Sequence, residues 1–235
     1  MSRNDKLIVV GHRGAKGYEL ENSIKSFAKA LEQGVPWVEF DVWNVEGTPV
    51  VFHDHRLERL TDGSGYLPGL SLSYLSSVKL MNGENIPLLA DVLELLVGKV
   101  SINVELKGVG TARTVVPLLR KYLAAGTLKI EHVLISSFNH CELLEAKRLL
   151  PDVRIGALIV GVPVDFAKIA SDMGAYSLNP SVEFVTPELV ADAHARGLKV
   201  FVFTVNHPED VERMIDLGVD AIFSDFPDVA MGVVG

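Results

Sequence analysis

Eight short runs rich in β-branched and other apolar residues recur along this chain, and a helical pattern follows each of them. They are residues 7–11 (LIVVG), 36–42 (PWVEFDV), 100–106 (VSINVEL), 132–137 (HVLISS), 153–160 (VRIGALIV), 175–179 (AYSLN), 199–205 (KVFVFTV) and 220–225 (DAIFSD). The first helix is legible by its period: Ile24, Phe27, Ala28 and Leu31 share a face, with Asn22 or Ser23 near the start and Gly34 as the stop. Similar patterns cover roughly 88–97, 111–124, 139–149, 164–173, 187–196 and 208–217, several closing on a glycine such as Gly98, Gly126 or Gly218. Pro187 and Pro208 fall in first turns, where proline is tolerated. Eight strand candidates alternating with helices in 235 residues predict a (β/α)8 TIM barrel, a fold of about 250 residues. A doubly wound open sheet is the alternative, but the first strand-to-helix turn, residues 11–22 (GHRGAKGYELEN), lacks the GxGxxG fingerprint.

Residues 50–54 (VVFHD) are left out of the eight. The turn at Glu46-Gly47 joins them to the second strand by a link that suits an antiparallel hairpin, whereas parallel neighbours need a crossover of a dozen or more residues. Pairing outward from that turn brings His53 opposite Phe40 or Asp41. Glu39 and Asp41, two apart on their strand, face the same way at about 7 Å. Residues 55–86 form the one long excursion, with turn signals at Asp62-Gly63 and Asn82-Gly83. They predict a cap on a barrel that otherwise spans 1–235 as one domain.

Composition narrows the function. A formal net charge of -8 argues against nucleic acid or an anionic membrane as main partner, although a local Arg or Lys can still hold a small anion. No segment reaches the length of a membrane span, and the apolar run at Leu7–Val10 is too short for a signal-peptide core, so a cytoplasmic protein is expected. Cys141 is the sole cysteine, which excludes an intrachain disulfide or a cysteine metal cage, and it is expected to be a buried small hydrophobe on a helix.

In barrels of this class the C-terminal strand ends build the site. Those ends collect His12, Arg13, Glu39, Asp41, His53 through the hairpin, Glu105, Lys107, Ser136, Ser137, Asn179, Thr204, Asn206, Ser224 and Asp225. Three carboxylates and two histidines at one rim are costly to bury without a cation. A divalent ion bound by Glu39, Asp41 and Glu105 removes that cost, and all-oxygen ligands suit Mg2+, Ca2+ or Mn2+ better than Zn2+. Each residue has a plainer reading. Glu105 and Lys107 could be an ion pair, His12 a core histidine, Arg13 a surface residue beside Gly14, and Glu21 a helix-start acid. Asn179 and Asn206 could be loop formers, and His55 is assigned to a polar turn. Chemistry is favoured because all these plain readings would have to hold together at one end of one barrel.

Residues 11–34 (GHRGAKGYELENSIKSFAKALEQG), 38–43 (VEFDVW), 50–65 (VVFHDHRLERLTDGSG) and 103–107 (NVELK) together resemble the glycerophosphodiester phosphodiesterase family, of the PLC-like phosphodiesterase superfamily. The likeness continues through 86–96, 203–206 and 220–228, and so covers essentially the whole chain. It implies a (β/α)8 barrel with an insertion after the HD motif, catalytic roles for His12 and His53, and metal binding by Glu39, Asp41 and Glu105. It further implies phosphate contacts from Arg13 and a nearby Lys107. Two departures stand out. The family's Pro-Glu-Asn-Thr is here Leu20-Glu21-Asn22-Ser23, and its usual tryptophan before Thr-Val-Asn is Phe203, which keeps an apolar wall for the alcohol but lacks the indole N–H. The reaction implied is metal-dependent hydrolysis of a small glycerophosphodiester to sn-glycerol 3-phosphate and an alcohol, with the histidines as acid and base. The alternatives are a phosphodiesterase acting on lysophospholipids or glycerophosphoinositol, and a non-catalytic barrel that binds a phosphorylated ligand.

Overall fold

The computed structural model describes residues 7–235. Its strands, in chain order, are β1 (Ile8–Gly11), β2 (Trp37–Val45), β3 (Thr48–Val51), β4 (Ser101–Leu106), β5 (Val133–Ser137), β6 (Arg154–Ile159), β7 (Ser177–Pro180), β8 (Lys199–Val202) and β9 (Ala221–Ser224). All but β3 are parallel and close into a ring, β1 pairing with both β2 and β9. The helices are α1 (Ile24–Glu32), α2 (Leu72–Ser77), α3 (Leu89–Leu96), α4 (Ala112–Ala124), α5 (His140–Leu149), α6 (Lys168–Asp172), α7 (Pro187–Ala195), α8 (Pro208–Leu217) and α9 (Pro227–Val234). The expected (β/α)8 barrel is therefore present.

Strand alternation divides the side chains. Val38, Phe40 and Val42 of β2, like Ile102, Val104 and Leu106 of β4, join the apolar layer between ring and helices. The residues between them, Glu39, Asp41, Asn103 and Glu105, point the other way into the barrel. Val10, Leu134, Phe201, Ala221 and Phe223 form a separate apolar cluster.

β3 runs antiparallel to β2 and outside the ring, in the register Val42↔Val51 through Val45↔Thr48. Glu46 (φ 48°) and Gly47 (φ 81°) both take the left-handed region, as the tight hairpin turn demands. Phe52 N–H donates to the Asp41 carbonyl at 3.0 Å, so the ladder continues and His53 comes level with Phe40. Residues 55–86 contain a short 3-10 turn, α2 and isolated bridges such as Arg56↔Tyr66 and Thr61↔Leu80. Leu57, Leu60, Leu67, Leu75 and Leu80 pack with Val45, Val50 and Phe52 of the hairpin. The insertion is thereby fastened to the strand that delivers His53.

Two local expectations fail. Cys141 lies on α5 but is exposed, because that helix turns Glu142, Leu143 and Ala146 inward. The helix expected over 164–173 is cut to Lys168–Asp172, with Phe166 at φ 48° just before it. Among the described residues no helix is long and apolar enough to cross a membrane.

Candidate active site

Glu39, Asp41 and Glu105 meet at the rim because β2 and β4 are in-register neighbours, with Asp41 opposite Glu105. One oxygen from each lies within 4.8 Å of the others. Glu39 Oε1 and Asp41 Oδ1 are buried without a hydrogen-bond partner. Burial, then the charges of Asp41 and Glu105, push the Glu39 carboxyl well above its ordinary range. Glu105 is pushed up to about 7 by burial and by Asp41, against the pull of Lys107. Asp41 goes the other way: burial would raise it, but Lys107 and Arg13 hold it below the usual carboxylate range. A self-repelling trio of carboxylates, in which Glu39 Oε1 has no partner and Asp41 Oδ1 only the ammonium of Lys107, fits a divalent cation, and an all-oxygen set suits a hard one.

The two imidazoles are held alike. His12 N–H donates to the Ser224 carbonyl at 2.9 Å, extending the β1–β9 ladder, and its Nδ1 lies 2.6 Å from Asp225 Oδ1. Asn206 steadies that acid by donating from Nδ2 to Asp225 Oδ2 at 3.0 Å. His53 Nδ1 lies 2.6 Å from Asp54 Oδ1, and Trp43 Nε1–H donates to the His53 carbonyl. An ionised carboxylate only accepts, so each ring carries its proton on Nδ1 and keeps Nε2 as an acceptor. Burial lowers the pKa of both imidazoles.

Arg13 adopts φ 53°, a sparsely populated conformation for a side-chain-bearing residue. Its N–H donates to Glu39 Oε2 (2.8 Å) and its carbonyl accepts from Asn22 N–H and Ser26 Oγ. The guanidinium donates to Glu21 Oε1 at 2.7 Å and approaches Asp41 Oδ2 at 3.2 Å. Lys107 Nζ donates to Glu105 Oε1 at 2.6 Å, approaches Asp41 Oδ1 at 3.3 Å and lies 6.0 Å from the Phe138 ring centre.

A cavity of about 260 Å³ connects these groups. His12, Arg13, Glu39, His53, Glu105 and Lys107 line it together with Asn103 and Ser136, while Phe138, Leu158, Phe203 and Phe223 supply apolar wall. Phe203 meets Phe138 edge-to-face at 5.6 Å. Asn103 Oδ1, Ser136 Oγ and Asn179 Nδ2 are buried without partners.

A model of the glycerophosphoryl diester phosphodiesterase family matches residues 12–229. The chain belongs to this family. The glycerophosphodiester phosphodiesterase of Caldanaerobacter subterraneus subsp. tengcongensis is 35% identical, over 97% of this chain and 98% of its own length. An Oleispira antarctica phosphodiesterase, solved in complex with the product sn-glycerol-3-phosphate, superposes with a TM-score of 0.88 at 29% identity, over 97% of each chain. The glycerophosphodiester phosphodiesterase of Thermotoga maritima gives 0.78 at 28% identity, again over 97% of each.

Set within the glycerophosphodiester phosphodiesterase family, the departures read plainly. Ser23 caps α1 by accepting from Ser26 N–H, and Leu20 packs on the insertion's apolar cluster. Asn22 donates to Asp41 Oδ2 at 2.8 Å, and Glu21, far from being a helix-start acid, is buried between Arg13 and Arg59. All eight expected site residues gather at this mouth, with Asp41 in contact with Arg13 and Lys107 from beneath. Sequence reasoning gave no role to Asp54 or Asp225 as imidazole partners, and passed over Arg59 and Asn103. Asp225 was within reach, since it ends a strand beside the one that carries His12.

Proposed function

We propose that this protein is a phosphoric diester hydrolase that cleaves glycerophosphodiesters to sn-glycerol 3-phosphate and an alcohol. One observation carries the reading: three mutually close carboxylates and two carboxylate-held imidazoles converge on a single cavity. Binding a phosphate alone would not require the held imidazoles. In this reading one of His12 and His53 takes the nucleophile's proton at Nε2, while the other, protonated there, gives its proton to the leaving alkoxide. Arg13 and Lys107 offset the diester's charge as it grows toward the transition state. Glu39, Asp41 and Glu105 would hold a divalent cation, Mg2+, Ca2+ or Mn2+, which when bound adds positive charge at the phosphate oxygens. Phe203, Phe138 and Leu158 offer an apolar wall to the departing alcohol.

Small water-soluble diesters and a cytoplasmic setting go with this reading. The groove beside the insertion is lined by Asp54, His55 and Arg56, and Leu67 and Leu75 are turned into the insertion's own core. The deciding experiment measures glycerol 3-phosphate release from a panel of glycerophosphodiesters and a lysophospholipid. It is run with chelator and with Mg2+, Ca2+ or Mn2+ added back. Metal-dependent release from the soluble diesters is expected. No release from any diester, or release only from the lysophospholipid, would overturn the reading. Phosphorus NMR during turnover distinguishes water from the glycerol 2-hydroxyl as nucleophile, because only the latter passes through a cyclic phosphate.

A further inference from the structure

Arg59 belongs to the insertion and its side chain is 49% exposed, yet its guanidinium grips carboxylates on two sides of the site. Nη1 and Nη2 donate to Glu21 Oε2 and Oε1 at 3.1 and 2.7 Å. Nε and Nη2 donate to Asp54 Oδ2 and Oδ1 at 2.6 and 2.9 Å. Exposed ion pairs usually contribute little, but this one is forked toward both partners and one of them, Glu21, is buried. Each carboxylate also holds a residue of the reaction cavity. Asp54 Oδ1 meets His53 Nδ1, and Glu21 Oε1 accepts from Arg13 Nη1. A continuous chain, His53–Asp54–Arg59–Glu21–Arg13, thus joins the hairpin to the β1–α1 loop.

Glu21, His53 and Asp54 offer ligand atoms within 4.8 Å of one another, the spacing of a cation site. The guanidinium is bonded to both of its acids, so a cation carried on the chain neutralises that cluster. Asp54 follows His53 directly and stands at the rim. Without a second fixed donor its carboxylate could rotate toward water and release the ring.

We propose that Arg59 is a positioning residue for the hydrolysis: through Asp54 it fixes the His53 imidazole with its proton on Nδ1, and through Glu21 it fixes the Arg13 guanidinium. A planar fork can satisfy both carboxylates at set angles, which a lysine ammonium cannot. The insertion is therefore part of the catalytic geometry through one side chain. Only the kinetic arm of the test rests on the functional reading above.

The test uses the full chain. In Arg59→Ala, kcat should fall by about tenfold to a hundredfold, the scale of losing a group that orients a reacting side chain. Free guanidinium at about 20 mM, far below denaturing concentrations, should restore much of that loss and do nothing for the wild type. In parallel, ¹⁵N spectra of the histidine rings, assigned with His53→Gln, should show a single Nδ1-protonated tautomer for His53. A mixture is expected in Arg59→Ala, returning to one tautomer with guanidinium. Unchanged turnover and unchanged ring spectra, or a loss in a folded variant that guanidinium does not reverse, would overturn the proposal. Should Arg59→Ala not fold, a double-mutant cycle of Arg59→Lys with Asp54→Asn replaces it: strongly non-additive losses in kcat support the proposal and additive ones sink it. A wild type that turns over no glycerophosphodiester sinks the functional reading, while the ring spectra still decide on Arg59.

Discussion

His12 and His53 reach one cavity from unlike parts of the chain, the first on a ring strand's extension and the second on a hairpin outside the ring. Replacing either by alanine should lower turnover by at least about a hundredfold, the usual scale of acid–base catalysis, in a variant that still folds by circular dichroism. Near-normal rates at saturating divalent cation would remove that residue from the mechanism. Glu39 lends itself to a different experiment. Its carboxylate is buried against Asp41 and Glu105, so in chelator it opposes folding. Glu39→Gln should therefore stabilise the metal-free protein by about 1 kcal/mol, and should abolish any metal-dependent gain in melting temperature. At this scale the meeting of Glu39 and Asp41 was legible in the sequence, because acids two apart on a strand share a face. The carboxylates that hold the imidazoles were not. His12 and Asp225 lie 213 positions apart, and only the pairing of the last strand with the first brings them together.

Among the elements, the hairpin was the most informative, since its short turn fixed its direction and narrowed its register to two choices, of which the structure takes the one with Val51 opposite Val42. Helix α9 received no bounds from the sequence because PDVAMGVV is apolar almost throughout and shows no clear period. The exposure of Cys141 is a matter of phase, as one residue's shift on a helix rotates a side chain by about 100°. The β1–α1 loop carries a sharper constraint. Gly14 sits at φ 86°, and a Cβ there would lie 2.4 Å from Ser26 Oγ and 2.6 Å from the Ser26 carbonyl carbon. Gly14→Ala should destabilise the protein by at least about 2 kcal/mol in urea titrations. Because Arg13 precedes it, KM should rise more than kcat falls. A variant with wild-type stability would show that α1 can move away from the loop.

For the whole molecule, the acid limb of stability can be traced to the pair that spans the barrel seam. Burial would raise Asp225, but the bond from His12 and the nearby Lys16 lower it from 3.8 to about 2. A carboxyl depressed in the folded state adds stability that is present above its unfolded pKa and lost as pH falls toward the folded one. Burial also lowers His12, so the unfolded chain takes that proton first as pH drops below 6.5, which acts in the same direction. The gap in unfolding free energy between wild type and Asp225→Asn should thus shrink by about 2 kcal/mol from pH 5 to pH 2. A constant gap across that range would mean that the aspartate is not ionised by its partner.

The cavity is lined by a polar surface of Asn103, Glu105 and Ser136 and by an apolar one of Phe138, Leu158, Phe203 and Phe223. A slot with unlike walls is handed toward its guest. A carbon bearing a hydroxyl, a hydroxymethyl and a phosphoryl arm can lay its oxygens on the wet flank in only one of its two mirror forms. Racemic glycerol esters should accordingly stall when about half is consumed, and polarimetry of the residue would reveal which hand the slot refuses.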